Sequence, residues 1–382
     1  MSNASPIYLD YNATTPISPA VLEAMLPYLR ENFGNPSSNH VYGAKARQAV
    51  DQARGQVAEL LGCAAEEIIF TSGGTESNNL AIYGLMSART ATSSRRGIIT
   101  SVVEHPATAE PCAALASTGY PVTRIGVDLH GVLNLDAFRA GLDETTALVT
   151  ILWANNETGT LQPMKTIADL AHEKGALVHV DAAQAIGKIP VDVNALGADL
   201  LSVAGHKLYA PKGVGALYVR KNVSLRKLLL GGGQEMGLRP GTENVPYLVG
   251  LGEACAIAKA ELGVREATLS KLRELFWHGL REGVPGLRLS GHPEHRLPNT
   301  LNVRFPNAKG SEILTRASEI AASTGSACHD GDETPSNVLL AMGITPTDAL
   351  GAVRLSVGCG TTEEDVTLAT RALVNAWKGL QK

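Results

Sequence analysis

Residues 176–181 read ALVHVD and residues 200–207 read LLSVAGHK, and these two stretches decide the fold. Each contains a short apolar run without polar alternation, which is typical of a strand buried on both faces of a sheet. The first run ends on Asp181, and Gly205, His206 and Lys207 follow the second. Ligands of parallel sheets bind beyond the carboxyl ends of the strands, so this carboxylate and this amine are expected at one site.

Similar patterns continue on both sides of these stretches. Further strands are predicted over residues 68–70, 98–100, 147–153 (ALVTILW) and 215–220. Helices are predicted over residues 43–61, 75–86 and 163–174, the last with a proline in its first turn. Alternating strands and helices with short connections predict an α/β fold, with a mostly parallel central sheet covered by helices.

The last third of the chain has a different rhythm. A long helical stretch begins near residue 245, and residues 297–305 (LPNTLNVRF) alternate as a strand with one buried face. We therefore predict a large domain over residues 17–255. A smaller α+β domain is predicted from residues 1–16 together with 256–382.

Composition narrows the class of protein. The chain has 382 residues, and 33 Lys and Arg against 37 Asp and Glu give a net charge of −4. A nearly neutral chain argues against nucleic acid as a partner. No apolar run approaches the length of a membrane span, and no signal peptide is seen. Five cysteines without a CxxC pair favour the reducing cytoplasm over a disulfide framework.

Three features at predicted strand ends point to one ligand. The glycine turn over residues 72–77 (SGGTES) suits a phosphate, although an ordinary capped turn explains it as well. Asp181 is either a helix cap or the partner of a protonated ring nitrogen. Lys207 is either a solvated loop residue or, at the mouth of an apolar site, a nucleophile. Pyridoxal 5′-phosphate (PLP) requires a phosphate cradle, an anion at its pyridine nitrogen and an amine, so the conjunction predicts a PLP site.

A colinear series of motifs extends this prediction over nearly the whole chain. It comprises residues 8–16 (YLDYNATTP), 33–37 (FGNPS), 71–77 (TSGGTES), 104–105 (EH), 155–159 (NNETG), 179–184 (HVDAAQ), 205–207 (GHK), 231–235 (GGGQE), 239–244 (RPGTEN), 325–328 (GSAC) and 354–356 (RLS). In these motifs the sequence resembles the class V aminotransferase-like PLP enzymes of fold type I, and among them the cysteine desulfurases. The resemblance implies that fold, a homodimer with shared active sites, and conversion of L-cysteine to L-alanine.

The resemblance also implies roles for residues around the cofactor ring. Lys207 would attach to the cofactor and move protons on the substrate, while Asp181 would pair with the ring nitrogen. His105 would stack on the ring and take part in proton transfer. Gln184 would bind the ring oxygen, and Asn156 would lie near both ring and substrate.

Further implied roles concern the phosphate and the substrate carboxylate. Gly74, Thr75 and His206 would hold the phosphate, and Thr242 would reach the phosphate of the neighbouring subunit. Arg354, together with Asn156, would take the substrate carboxylate, which a guanidinium fork suits.

Cys328 completes the implied chemistry. A lone cysteine is more often a small buried hydrophobe than a nucleophile, but the residues around it are small or polar and favour an accessible thiol. In the family this cysteine takes the substrate sulfur as a persulfide and passes it to an acceptor, for instance in iron–sulfur cluster assembly. The acceptor of this chain stays open.

The sequence departs from the family at two points and leaves three alternative functions open. Ala204 stands where many relatives have a serine, and one helix over about residues 363–382 follows where housekeeping desulfurases continue into a scaffold-docking tail. Selenocysteine lyase, which shares the fold and the lysine, is the alternative activity. A PLP aminotransferase without sulfur transfer is a further one. A regulatory protein that binds a metal through His329, Asp330, Asp332 and Glu333 has little weight, because charged loop residues are usually solvated.

Overall fold

The computed structural model describes residues 5–89, 94–325, 327–329 and 332–381, with only the backbone at 327–329 and 332. Its strands are β1 (Ile7–Tyr8), β2 (Ile68–Thr71), β3 (Gly97–Ser101), β4 (Val122–Ile125), β5 (Thr146–Leu152), β6 (Leu177–Asp181), β7 (Leu200–Ala204), β8 (Gly215–Val219), β9 (Arg288–Ser290), β10 (Thr300–Arg304), β11 (Ile320–Ala321), β12 (Ala327–His329), β13 (Asp332–Thr334) and β14 (Ala352–Ser356). Seven of them, in the order β2-β8-β7-β6-β5-β3-β4, form the main sheet.

The main sheet confirms the predicted α/β fold. Only β8 runs antiparallel to its two neighbours, and every other adjacent pair is parallel. Every residue of β5 and β7 is buried, as their mostly apolar sequences without polar alternation predict. The register aligns Asp181 with Leu152 on one side and with Ser202 on the other. The carboxyl ends of β5, β6 and β7 therefore meet at one edge.

The helices cover this sheet and the second half of the chain. They are α1 (Pro19–Arg30), α2 (Val41–Leu61), α3 (Gly74–Ala88), α4 (Pro106–Ser117), α5 (Leu135–Gly141), α6 (Met164–Glu173), α7 (Val193–Leu196), α8 (Val245–Gly283), α9 (Gly310–Arg316), α10 (Asn337–Ala341), α11 (Pro346–Leu350) and α12 (Glu363–Leu380). Within the residues described, no helix combines the length and the apolar character needed to cross a bilayer.

Local capping explains where the predicted helices begin and end. The His40 ring accepts a hydrogen bond from the Gly43 N–H at the start of α2, and Gly62 closes that helix with a φ of 72°. Pro163 is the N-cap of α6 and so lies just before the helix, not in its first turn as predicted. The missing N–H of proline costs nothing at either position, so the sequence signal does not separate them.

The second half of the chain has a core of its own. β14, β10 and β9 form an antiparallel sheet, and one hydrophobic cluster joins Leu9 to side chains between Leu269 and Ala376. A larger cluster gathers side chains between Val21 and Leu297 around the main sheet. The helix α8 runs through the predicted boundary at residue 255 without a break. The division into two domains stays a prediction.

Candidate active site

A cavity of about 430 Å³ opens where β5, β6 and β7 end. Of the residues predicted to act on cofactor or substrate, nine line it: Gly74, Thr75, His105, Asn156, Asp181, Gln184, His206, Lys207 and Arg354. They come from six separate parts of the chain. The strand ends bring them together, as the position of ligand sites in parallel sheets predicts.

Asp181 supplies a buried negative charge to this cavity. It is the last residue of β6 and is 7% exposed. The Asn78 amide donates to Oδ2 at 2.7 Å and the Ala183 N–H donates to Oδ1 at 3.0 Å. Among the described residues, none forms an ion pair with it. A buried carboxylate without a cation suits a ligand that brings one.

Lys207 supplies an amine of lowered basicity. A single 3-10 turn after β7 directs its Nζ to the backbone carbonyls of Asn12 and Ala13, at 2.5 and 2.8 Å. Burial, together with the Arg354 guanidinium, lowers the pKa of Lys207 to about 8, against the opposing effect of Asp10 and Asp181. Close to neutral pH, a useful fraction of the amine is therefore unprotonated and nucleophilic.

Gly74 and Thr75 begin α3 and bring free N–H groups of its first turn to the cavity. A Cβ atom added to Gly74 would lie 3.2 Å from the Cβ of Ala204, so bare backbone is favoured here. Opposite them, the His206 ring bonds the Thr14 hydroxyl at 3.1 Å, and burial lowers its pKa to about 4. This cup offers neutral donors and a helix N-terminus, which suit a phosphate. The hydroxyl that Ala204 replaces is missing from it.

His105 faces the same cavity in a defined tautomer. It is the N-cap of α4, and its Nδ1 accepts a hydrogen bond from the Ala107 N–H at 3.1 Å. An acceptor at Nδ1 leaves the proton of the neutral ring on Nε2. Burial lowers the pKa of His105, with Asp181 opposing that effect. The ring is therefore neutral at physiological pH and has one N–H to donate.

Gln184 is held by two partners that the sequence did not reveal. Its amide nitrogen donates to the Asn12 carbonyl at 2.9 Å, and its oxygen accepts from Nζ of Lys188 at 2.6 Å. Lys188 also donates to the Asn12 side-chain oxygen at 3.2 Å. Burial lowers the pKa of Lys188 well below its ordinary value, and Lys207 and Arg354 act in the same direction. The bond from Lys188 to the Gln184 oxygen and the bond from the Gln184 nitrogen to Asn12 together fix the orientation of this amide.

Arg354 and Asn156 meet at the other wall. The Arg354 Nη2 donates to Asp10 at 2.6 Å and its Nη1 donates to the Asn156 carbonyl at 3.2 Å, while its buried Nε has no partner among the described residues. Asn12 joins this wall to the lysines, since its amide donates to the Asn156 carbonyl at 3.1 Å. A guanidinium fixed in this way is ready for a carboxylate.

Among the described side chains, Thr242 is the predicted site residue that does not line this cavity, and that of Cys328 is not described. Thr242 is exposed and lines a separate cavity with Glu235 and Arg239. Cys328 pairs with Glu333 across the β12–β13 hairpin, and its side chain lies outside the described residues. The side chains of His329, Asp330 and Asp332, proposed as metal ligands, lie outside them too.

Glu104 is a further group that sequence reasoning left without a role. Its oxygens accept from the Ser101 hydroxyl at 2.5 Å and from the Leu152 N–H at 2.8 Å. Burial raises its pKa to about 8, and the nearby charge of Asp181 adds to this effect. Its place directly before His105, after a predicted strand, was the only signal available.

The donor set as a whole fits one kind of ligand. Neutral donors at a helix N-terminus suit a phosphate, an unpaired carboxylate suits a protonated ring nitrogen, and an amine of low pKa suits an aldehyde carbon. A phosphorylated pyridine aldehyde has all three groups.

Comparisons with known proteins identify the family of the chain. The family model for aminotransferase class-V matches residues 7–368. A protein of Gluconacetobacter diazotrophicus named cysteine desulfurase is 48% identical over 94% of this chain and 90% of its own. A cysteine desulfurase of Nostoc sp. is 47% identical over 95% and 90%. A solved structure titled NifS-like protein superposes with a TM-score of 0.90 at 39% identity, covering 97% of this chain and 98% of that one.

Proposed function

The chain belongs to the class-V aminotransferase family and is a cysteine desulfurase, and we propose that it works with PLP held in the cavity at the ends of β5, β6 and β7. The observation that carries the proposal is the meeting of an unpaired Asp181 and a low-pKa Lys207 beside a phosphate cup. When bound, PLP supplies a ring that stores the electron pair released from the substrate α-carbon.

The ring-binding side chains have separate tasks in this proposal. Asp181 keeps the ring nitrogen protonated, and the Asn78 and Ala183 bonds hold the carboxylate in place for it. Gln184 would offer its amide N–H to the ring oxygen, and the neutral His105 would lie against the ring. Gly74, Thr75 and His206 bind the phosphate.

Lys207 carries the proton transfers. Once its Nζ has left the carbonyls of Asn12 and Ala13, it takes the proton from the substrate α-carbon. An amine with a pKa of about 8 both accepts and returns a proton near neutral pH. Arg354 and Asn156 would hold the substrate carboxylate in the same cavity as Lys207.

Cys328 takes the sulfur. Its thiolate attacks the sulfur of L-cysteine, a new S–S bond forms, and the Cβ–S bond of the substrate breaks. The electron pair of the broken bond stays with the carbon, which takes up a proton and becomes the methyl group of L-alanine. The persulfide on Cys328 then passes its outer sulfur to an acceptor protein whose identity stays open. Supply of sulfur for iron–sulfur clusters is the use that the family suggests.

We also propose a homodimer in which Thr242 of one subunit completes the phosphate site of the other. Thr242 lies outside the Lys207 cavity, at the end of the glycine-rich segment 231–242. An ion pair of 2.7 Å between Arg54 and Glu235 anchors this segment. Exposed apolar side chains occur on this segment and before it, with Leu230 87% and Met236 54% exposed. A second copy of the chain would cover them. The cytoplasm is the proposed compartment, because the four described cysteines are unpaired.

The central test measures alanine release from L-cysteine and from L-selenocysteine in parallel, with the wild type and with Cys328→Ala. We expect the wild type to bind PLP at Lys207, trappable by borohydride, and to release alanine from L-cysteine. Cys328→Ala should lose this release but keep exchange of the α-proton. A protein that prefers selenocysteine and does not need Cys328 is a selenocysteine lyase, and a colourless protein contradicts the PLP site.

The shared site has its own test. Lys207→Ala and Thr242→Ala are each expected to be impaired as pure proteins. After mixing under conditions that exchange subunits, a mixed dimer has one site with an intact Lys207 and an intact Thr242. Activity of the mixture above that of either variant supports the shared site. Activity equal to the mean of the two variants contradicts it.

A further inference from the structure

Glu157 is a carboxylate beside the active site to which the proposed reaction gives no task. It follows Asn156 in the loop between β5 and α6, and its own backbone is fixed by two side chains. The Asn155 oxygen accepts from the Glu157 N–H at 2.9 Å, and the Asn302 amide donates to the Glu157 carbonyl at 3.3 Å. Glu157 therefore projects from a rigid part of the loop that carries Asn156.

The Glu157 carboxylate touches both flanks of the segment that carries Cys328. On the far flank, the buried Ser336 hydroxyl donates to Oε2 at 2.5 Å. On the near flank, Gly325 passes so close that an added Cβ atom would lie 2.9 Å from the same oxygen. One oxygen atom thus meets two residues that stand eleven positions apart, on either side of Cys328.

No cation competes with these two contacts for the Glu157 carboxylate among the described residues. Within the described residues, Glu157 forms no ion pair, and burial raises its pKa while the Ser336 hydroxyl and the Arg354 guanidinium lower it. Ser336 in turn accepts from the Leu339 N–H at 3.3 Å and so caps α10. The bond from Ser336 therefore connects Glu157 to the start of a helix.

The near flank is tied to the substrate site a second time. Ser323 and Arg354 pair through their backbones, with the Arg354 N–H donating at 2.6 Å and the Ser323 N–H donating at 3.3 Å. Arg354 and Asn156 are the residues proposed to bind the substrate carboxylate. The near flank is thus attached to Arg354, and both flanks lie against Glu157, the residue that follows Asn156.

We propose that Glu157 is a positioning residue for sulfur transfer, which fastens both flanks of the Cys328 segment to the loop that holds the substrate carboxylate. This inference rests on the proposed function. It assigns Glu157 to the sulfur step alone, because its contacts reach the Cys328 flanks and not the groups that hold or move the α-proton.

The test separates the two steps in the loaded enzyme. Glu157→Ala should keep exchange of the α-proton of L-alanine at the wild-type rate. Its sulfur transfer from L-cysteine should fall by about 100-fold, the size expected when a reacting group is misplaced by about 1 Å. Glu157→Gln keeps an oxygen that accepts from Ser336 and should recover most of the transfer. Glu66→Ala removes an exposed carboxylate elsewhere and should change neither rate.

A second readout needs no cofactor. Alkylation of Cys328 by iodoacetamide, followed by mass spectrometry, should be faster in Glu157→Ala than in the wild type, with the exposed Cys359 as the reference thiol in the same protein. Ser336→Ala removes the other partner and should act in the same direction without adding to Glu157→Ala.

Two results would overturn the inference. One is an equal loss of proton exchange and sulfur transfer in Glu157→Ala, which would make Glu157 a general structural residue. The other is unchanged transfer together with unchanged alkylation. Failure of the proposed function looks different, because the wild type itself would then neither exchange the α-proton nor release sulfur.

Discussion

The two edges of the main sheet differ in whether their buried charges are paired. At the amino ends of β6 and β7, Asp199 accepts from His172 at 2.8 Å, from the Val178 N–H at 2.8 Å, and forms an ion pair with Arg220 at 3.2 Å. At the carboxyl ends, Asp181 and Lys207 lie beside one cavity, and neither forms an ion pair among the described residues.

This difference separates structural charges from functional ones. Both carboxylate oxygens of Asp199 are bound by groups of the same chain, so its charge belongs to the fold and is not available to a ligand. Asp181 has partners that orient it but no cation that neutralises it among the described residues. Lys207 is likewise oriented by two carbonyls and has no anion paired with it there. Charges that the fold leaves unpaired next to a cavity mark the edge at which chemistry takes place.

The largest expected effect comes from removing the same charge at each edge. Asp181→Asn keeps the shape and should lower the rate of alanine release by about 10²- to 10⁴-fold, the range for losing a group that governs proton transfer. Asp199→Asn should instead lower the free energy of unfolding by about 1–2 kcal/mol, because the bonds from His172 and the Val178 N–H lose a charged acceptor, while the partly exposed Arg220 keeps its bonds to the Ala198 carbonyl. Alanine release and thermal unfolding are measured on both variants. Equal losses of activity per folded molecule would remove the distinction between the edges.

Glu104 gives the next effect, and it concerns stability. Its folded pKa of about 8 exceeds the ordinary value near 4.3, so the folded state holds this proton more tightly than the unfolded state. Its stabilisation is complete at pH values below about 4.3 and is lost as the pH rises through 8. Glutamine cannot ionise, so the free energy of unfolding of Glu104→Gln should rise relative to that of the wild type by a few kcal/mol between pH 5 and pH 9. Parallel pH dependence of the two melting temperatures would contradict this.

Lys207 yields a smaller, kinetic effect. Only the neutral amine attacks an aldehyde, so the rate at which cofactor-free protein takes up PLP should rise about tenfold per pH unit and level off above pH 8. An ordinary lysine would level off near pH 10.4. The growth of the visible absorption band after mixing measures this rate, and Lys207→Arg is the blank. A rate that still rises above pH 9 would show that burial does not lower the pKa.

Part of this site could be predicted from sequence because it follows from strand ends. Asp181 ends an apolar run and Lys207 stands three residues after another, so the edge at which they meet was determined by local patterns. Gly74 and Thr75 belong to the same logic, since a glycine turn opens a helix behind a strand.

The rest depends on contacts between distant parts of the chain, which local patterns do not contain. Asn12 bonds Lys207, Gln184 and Asn156, all of them more than 140 residues away. Lys188 looks like an ordinary lysine until its burial is seen. Thr242 could not be placed at the Lys207 cavity because a single chain does not bring it there, and its role stays a prediction about the dimer.

Lys188 gives the smallest expected effect and the sharpest test of the comparison, because it is a buried amine at the functional edge that acts on the proposed cofactor site only through Gln184. It acts through Gln184, because it donates to the Gln184 oxygen at 2.6 Å and so fixes the orientation of that amide. Lys188→Met keeps the length of the side chain but lets Gln184 turn over, and PLP should bind about tenfold more weakly, equivalent to about 1.4 kcal/mol. The free energy of unfolding should change little, since the lost hydrogen bonds and the removed desolvation oppose each other. Titration of the visible band measures the affinity, and Lys378→Met, at an exposed lysine of α12, is the control. If Lys188→Met lowered stability and left the affinity for PLP unchanged, Lys188 would belong with Asp199 among the structural charges, although it lies at the other edge.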